Sequence, residues 1–308
     1  LNFIADNPKN RQQWHDHLAK LNLHAIVDFD TVAYSFSNEI SLYRGLQTLM
    51  PEYRQYLDTL VEALNTHEQQ RLVHASEILA ELLVDVAAYQ IKVGTDENSE
   101  QKQITMQESV KFHEQKTVRA LLGAFQFHQS NFEHDVLPIS NGEWQRDLFD
   151  VNYLKEVGLE TSSAMAKGAA IGLTIDVFTA GLSMGAASLL GALGGALYAR
   201  GRDIYEVIRG YETLRIDDNT LALIALRESQ LVFALLGRGH ASQSDIILHQ
   251  KSEPVLDLED IPEPIKTARL HKNWSALNDK LDENDKREAT IKTLAESLRE
   301  RWKQIRSQ

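Results

Sequence analysis

The stretch from Gly168 to Ala199 reads GAAIGLTIDVFTAGLSMGAASLLGALGGALYA and governs how the whole chain is interpreted. It contains one charged residue, Asp176, and is bounded by Lys167 and Arg200. Its glycines recur at four-residue spacing, which places both members of a pair on one helix face, where the missing Cβ lets another backbone approach. Because glycine costs about 1 kcal/mol relative to alanine in a helix, this pattern indicates close helix packing. The pairs are Gly168/Gly172, Gly181/Gly185 and Gly191/Gly195.

We interpret residues 166–200 as a glycine-rich helical hairpin with a turn near Gly181. A single helix over this stretch would be about 48 Å long, whereas the hydrocarbon core of a bilayer is about 30 Å thick. The two arms of a hairpin would reach only about 21 and 25 Å, and Asp176 would cost about 2.5–3.5 kcal/mol at mid-bilayer. These magnitudes favour a hairpin packed at the centre of a helical domain, with membrane insertion as a conditional second state.

Composition narrows the classes of protein to which the chain can belong. It has 308 residues and a formal net charge of −12, which argues against general nucleic-acid binding. It has no cysteine, which excludes disulfides and thiolate metal sites and suits a reducing compartment. We therefore expect a cytoplasmic protein, with a membrane surface as a place of peripheral attachment.

Apolar periodicity outside the hairpin is mostly helical. It predicts a very long helix over 52–93, a helix over 101–132, and one from Asp218, taken as its N-cap, to about Leu236. Residues 242–263 are polar and contain prolines, which is typical of a linker, and residues 264–308 form two amphipathic helices. The basic face of the last helix suits a membrane surface or a partner helix, although a solvated helix is the simpler interpretation.

The first residues have a different character. An amphipathic helix over about 11–21 is followed by alternation around Ala25, Val27 and Phe29, which favours a strand. A helix and a strand make half of an α/β unit with no sheet to join, so we expect the rest of that domain to lie before Leu1. The predicted fold is mainly α: a helical bundle with a central glycine-rich helical hairpin, preceded by a small α/β remnant.

Three stretches give the chain a family resemblance. They are LNF at 1–3 with WHDHLAKLNLHAIVDFDTVAY at 14–34, the run from Leu148 to Tyr198, and the run from Arg209 to Ser242. Together they resemble bacterial proteins in which an Era/TrmE-like GTP-binding domain is followed by a C-terminal domain of unknown function. The resemblance implies that residues 1–36 are the end of the GTP-binding domain and that residues 37–241 are the helical domain that follows it.

The same resemblance implies where nucleotide would be recognised. In such GTPases an Asn-Lys-x-Asp motif reads guanine. Here Asn2 stands at the Asn position, Phe3 replaces Lys, and Asp6 lies one residue late. The sequence contains no G-x-x-x-x-G-K-[ST] motif to hold the β- and γ-phosphates. GTP and magnesium are therefore implied for a longer parent protein, and no cofactor is expected for these residues alone.

One acidic stripe raises the question of a metal. His74, Glu77, Glu81 and Asp85 share a face of the long helix, and inward-facing carboxylates with histidine can hold two metal ions in a bundle. Such a site needs matching helices, and the sequence offers no second one. We therefore favour a solvated acidic stripe.

These observations lead to one functional expectation and two alternatives. We expect a non-catalytic regulatory or effector module of a bacterial GTPase, which couples nucleotide state to a membrane or protein partner. Its first partner would be its own GTP-binding domain. The alternatives are a conditionally membrane-inserting hairpin protein and a helical-bundle metalloenzyme.

Overall fold

The computed structural model describes residues 8–21, 26–27, 36–94, 98–126, 139–140, 143–157, 173–177, 212–236, 254–258 and 260–306. Within these ranges the chain is mainly α, which confirms the predicted fold class. The helices are α1 Pro8–Lys20, α2 Phe36–Leu49, α3 Arg54–Ala88, α4 Ser99–Ala124, α5 Val151–Glu156, α6 Asp218–Leu236, α7 Glu263–Arg269 and α8 Asp285–Arg306. The strands are β1 Gln90–Val93, β2 Ile139–Ser140, β3 Glu143–Trp144, β4 Leu173–Val177 and β5 Glu212–Ile216.

Helix α3 is the axis of the molecule. It runs for 35 residues, which corresponds to about 52 Å. Its first half, up to about His74, is largely exposed, whereas its second half is almost entirely buried from Ala75 to Ala88. The buried half contacts α4, α6, α7 and α8, so it is the helix around which the core assembles.

The predicted end of this helix at Val93 is wrong. Helix α3 ends at Ala88, and the next residues form β1, which pairs antiparallel with β5. The QIKV run satisfies its backbone groups across the sheet, with Ile91 opposite Leu214. A partner strand more than 100 residues away thus overrides the local helical pattern, a long-range effect that periodicity does not report.

Part of the predicted glycine-rich hairpin is not helical. Residues Leu173–Val177 form β4, which pairs antiparallel with the other edge of β5 and completes a sheet ordered β1-β5-β4. Three of the five residues of LTIDV are β-branched, and such residues fit a pleated sheet better than a helix. The first arm of the predicted helical hairpin is therefore wrong over these residues, and the rest of 166–200 lies outside the described residues.

The C-terminal part of the chain packs into the same core. Val255 and Leu256, within the predicted linker 242–263, are buried, and so are Ile265 of α7 and Trp302 of α8. Among the pairs of elements in contact, α8 and α3 share the most extensive packing. The described region after Pro254 therefore contributes side chains to the hydrophobic core.

The N-terminal region is described only in part. Helix α1 confirms the helix predicted over about 11–21. Of the strand predicted around 25–29, Ile26 and Val27 are described and are not in a strand, and the other residues lie outside the described ranges. Val27 lies against Gly45 of α2, where an added Cβ would come within 2.9 Å of its Cγ2 atom. Glycine at this position allows the close approach of the two segments.

Candidate functional site

Most of the site residues that the sequence predicts lie outside the described residues. Asn2 and Asp6 lie outside the described residues, and so do the six glycines Gly168, Gly172, Gly181, Gly185, Gly191 and Gly195. Asp176 is described through its backbone, which pairs with Thr213 in the sheet. Proposals for guanine recognition and for hairpin packing therefore rest on the sequence alone.

The acidic stripe of α3 lies along a groove between α3 and α8. His74, Glu77 and Glu81 line it on one side. The other side is the start of α8 and the residues just before it, and the groove has a volume of about 580 Å³. This second side carries Glu283, Asp285, Arg287, Glu288 and Lys292. The groove is therefore rich in carboxylates, and the described contacts pair Lys292 with Glu288 and Arg287 with Glu81.

Asp85, the last residue of the stripe, is not solvated as predicted. Its side chain is buried and makes polar contacts with three separate parts of the chain. Oδ1 accepts from Arg287 Nη2 at 2.8 Å and from the backbone N–H of Ala276 at 3.1 Å. Oδ2 lies 2.8 Å from Nε2 of His113. We name Asp85, Arg287 and His113 the aspartate junction, because it ties α3 to α4 and to the C-terminal region.

Arg287 completes this junction from the side of α8. Its Nε donates to the carbonyl oxygen of Trp274 at 2.8 Å, and Nη2 also reaches Glu81 at 3.2 Å. Burial by itself would lower the pKa of Arg287, but the bonds to Asp85 and Glu81 outweigh it and the pKa is raised. The guanidinium therefore stays charged, and the buried carboxylate of Asp85 has a permanent counter-ion.

A second ionic cluster lies deeper, where α4, α6 and the segment 143–157 meet. Arg227 of α6 is buried and donates from Nη2 to Oε2 of Glu114 on α4 at 3.2 Å. Its guanidinium lies over the ring of Trp144, 4.7 Å from the centroid. The indole N–H of Trp144 donates in turn to Oε1 of Glu228 at 2.8 Å. We name Glu114, Trp144, Arg227 and Glu228 the arginine cluster.

The arginine cluster contains one positive charge and two carboxyl groups. Glu114 and Glu228 are 3% and 0% exposed, so an unbalanced charge there would lack hydration. The pKa of Glu228 is raised to about 8, first by burial and then by the charge of the neighbouring Glu114. Burial also raises the pKa of Glu114, while Arg227 lowers it. The balanced state is therefore an Arg227–Glu114 ion pair beside a protonated Glu228.

Several polar atoms of the arginine cluster have no hydrogen-bond partner among the described residues. They are Nε and Nη1 of Arg227, Oε1 of Glu114 and Oε2 of Glu228. A buried polar atom without a partner costs free energy comparable to a lost hydrogen bond, so such atoms are uncommon in folded proteins. Within the described residues, most of the buried side-chain atoms of this kind therefore lie in this cluster.

Metal chemistry finds little support in the described ranges. Within them, no group of three or more histidine, aspartate or glutamate side chains converges as a metal site would require. The two ionic clusters mix carboxylates with arginine, whose guanidinium has no lone pair for a metal and competes for the carboxylates. What these clusters do chemically is join helices and hold a proton.

Of the residues in the two clusters, sequence reasoning identified Asp85 alone, and it predicted a solvated position for that side chain. A signal was present at Arg227 and Glu228, which are adjacent charges in the middle of a helix that is apolar on all sides. Asp85 likewise follows the run Leu82, Leu83 and Val84, which are all buried. Their partners lie in other elements, so the pattern of one helix could not identify them.

Helix α6 also bears on the question of membranes. It is the one helix within the described ranges that is long and apolar enough to cross a bilayer, with a mean hydropathy of 1.3. However, 78% of that window is buried inside the protein, as in the core helix of a soluble domain. Its apolar character is therefore accounted for by packing.

Comparison with known proteins identifies a family but no activity. No curated protein and no solved structure shows significant similarity to the chain. The sequence profile of one family matches residues 15–296, and its description is a domain of unknown function. This match covers the aspartate junction, the arginine cluster and the groove along α3. The chain therefore belongs to the DUF3482 family.

Proposed function

We propose that this chain is a non-catalytic regulatory module of a bacterial GTPase and that it couples nucleotide state to a protein or membrane partner. In this proposal a GTP-binding domain, of which residues 1–36 are the end, holds GTP and magnesium. The helical region reports the nucleotide state to the partner at the cytoplasmic face of the inner membrane. The observation that carries the proposal is the continuity of α3 from its exposed half into the core.

Continuity matters because a helix transmits displacement only where it is unbroken and held at one end. The exposed half of α3 follows α2 after a short 3-10 turn, Pro51–Tyr53, and α2 packs against α3. The buried half ends beside the aspartate junction, where Asp85 joins α4 and α8. A movement imposed near residue 54 would therefore reach both α4 and α8. Such coupling requires two arrangements of the core, and its size is typically about 1–3 kcal/mol, which is about 5- to 150-fold.

Hydrogen exchange in the complete protein tests the coupling. The protein would be studied with a GTP analogue, with GDP and without nucleotide, and exchange would be followed in the buried half of α3. We expect at least about a fivefold difference in exchange between the GTP-analogue and GDP states over residues Leu79–Ala88, from the lower end of the coupling range. Equal exchange in the three states would overturn the proposal.

Vesicle flotation then distinguishes the two classes of partner. The complete protein would be mixed with vesicles of anionic phospholipid in the same three nucleotide states. Flotation that follows the nucleotide would identify the membrane as the partner. Nucleotide-dependent exchange without any flotation would point to a protein partner.

A further inference from the structure

We propose that Glu228 is a proton-dependent latch: in its protonated form it holds the segment 143–157 against α4 and α6, and its ionisation favours release of that segment. This inference goes beyond the proposed function, since it holds whether or not a GTP-binding domain precedes the helical region. It rests on the contact between Glu228 and Trp144, on the count of buried charges, and on the polar atoms that lack partners.

The segment 143–157 is attached to the core mainly by its inner face. Leu148, Phe149, Tyr153 and Leu154 are buried, and Trp144 reaches inward to donate its indole N–H to Glu228. Outward-facing residues such as Glu143 and Arg146 are exposed. The segment therefore forms a cover with one face on α4 and α6, and its displacement would expose Glu228 to water.

Charge balance determines the protonation state of Glu228 while the segment 143–157 covers it. Arg227 is already neutralised by Glu114, so a second ionised carboxylate would leave a net negative charge in a site that excludes water. Burial and the neighbouring Glu114 raise the pKa of Glu228, and they outweigh the indole N–H of Trp144 and the charge of Arg227, which both favour the ionised form. The free-energy cost of an ionised Glu228 falls most directly when the segment 143–157 opens and water reaches the carboxylate.

The other charges that surround the cluster do not change this balance. From α4, Lys111 binds Asp147 of the segment at 2.5 Å, so these two neutralise each other. From α8, the contact beside Glu228 is uncharged, because the indole of Trp302 donates to Ser229. The buried carboxylates of α3 have their own partners: Glu68 binds Arg71, and Asp85 belongs to the aspartate junction.

The sign of the pH effect follows from the two protonation states. The pKa of Glu228 is about 8 in the closed form and would return toward its ordinary value of 4.5 when the segment opens. Between these values the closed form binds one more proton than the open form, so the closed form loses stability as the pH rises. The opening equilibrium should grow by nearly tenfold per pH unit and level off above about pH 8.

Hydrogen exchange of the full chain, corrected for intrinsic rates, tests the latch between pH 6 and pH 9. For the natural sequence we expect opening of residues 143–157 to rise by about 50- to 100-fold over this range. Glu228→Gln keeps an oxygen acceptor for Trp144 and cannot ionise, so its profile should be flat. Amides of α2, which packs against the exposed half of α3, serve as the internal reference and should show no such rise.

A second variant tests the role of Glu114. Glu114→Gln leaves Glu228 as the only carboxylate beside Arg227, so Glu228 should ionise in the closed form and the pH dependence should shrink. A flat profile in the natural sequence would overturn the latch, as would an unchanged rise in Glu228→Gln, which would assign the effect to another group. If Glu228→Gln does not fold, the natural profile and Glu114→Gln still decide the matter.

Discussion

Arg287 and Asp85 form a buried ion pair, with Nη2 of the arginine 2.8 Å from Oδ1 of the aspartate. They are 202 residues apart in the chain, so this contact fastens the C-terminal helix α8 to the central helix α3. The side chains are 7% and 2% exposed. The C-terminal region is therefore an integral part of the fold, and its removal should disturb the core from which α3 extends.

The aspartate junction should contribute far more to the free energy of unfolding than the exposed contact between Arg287 and Glu81. Asp85→Ala leaves the charge of Arg287 buried without its main partner, and we expect a loss of about 3–5 kcal/mol in the free energy of unfolding. Glu81→Ala removes the other carboxylate that Arg287 contacts, but Glu81 is 55% exposed, so the loss should stay below about 1 kcal/mol. Urea unfolding of the two variants compares them. Equal losses would refute the assignment of the junction.

Trp302 offers a separate test of how firmly α8 is held. It is 1% exposed, and its indole N–H donates to Ser229 Oγ at 2.8 Å. We expect Trp302→Ala to reduce the free energy of unfolding by about 3–5 kcal/mol, since a large cavity is left in the core. The neighbouring Lys303→Ala, at a side chain that is 67% exposed, is the matched control and should change stability by less than about 0.5 kcal/mol. A small effect of Trp302→Ala would place α8 outside the core.

The N-cap of α6 is Asp217. The sequence predicts Asp218 instead, and that prediction is wrong. Asp217 Oδ1 accepts from the backbone N–H of Thr220 at 2.8 Å, whereas Asp218 is the first helical residue and binds Arg269. Asp217→Ala should therefore cost about 0.5–2 kcal/mol, and Asp217→Asn should recover most of it. Asp218→Ala should cost less than about 1 kcal/mol, because its pair is partly exposed. The opposite order in thermal unfolding would restore the original assignment.

Acid should weaken the attachment of the segment 143–157. Burial by itself would raise the pKa of Asp147, but the bonds from Lys111 and from the backbone N–H of Phe149 outweigh it and lower the pKa below its ordinary 3.8. A lowered folded pKa gives stability that is present above the unfolded pKa and is lost as the pH falls through the folded pKa. With Asp147 half exposed, the effect should stay below about 1 kcal/mol. Urea midpoints of the natural chain and Asp147→Asn should converge as the pH falls below the ordinary pKa of 3.8; a constant difference would contradict this.

The sequence predicted the helices better than anything that depends on distant partners. The apolar stripe of α3 and the long apolar run of α6 identify those helices, because helical periodicity is a local property. The sequence pattern predicts helix for the residues of β1 and β4, because only their pairing with β5 distinguishes these strands from helix. Asp85 was placed in solvent for the same reason: its partners Arg287 and His113 come from other elements, and no alternation within α3 reveals them.

Interruption of α3 tests the central claim of coupling most directly. Thr66 lies in the exposed half of α3, where Thr66→Pro would break the helix at a cost of about 3 kcal/mol without touching the core. Thr66→Ala is the matched control, because alanine keeps the helix intact. In the complete protein, we expect the nucleotide-dependent difference in hydrogen exchange over Leu79–Ala88 to persist in Thr66→Ala and to disappear in Thr66→Pro. The same difference in both variants would contradict transmission through α3.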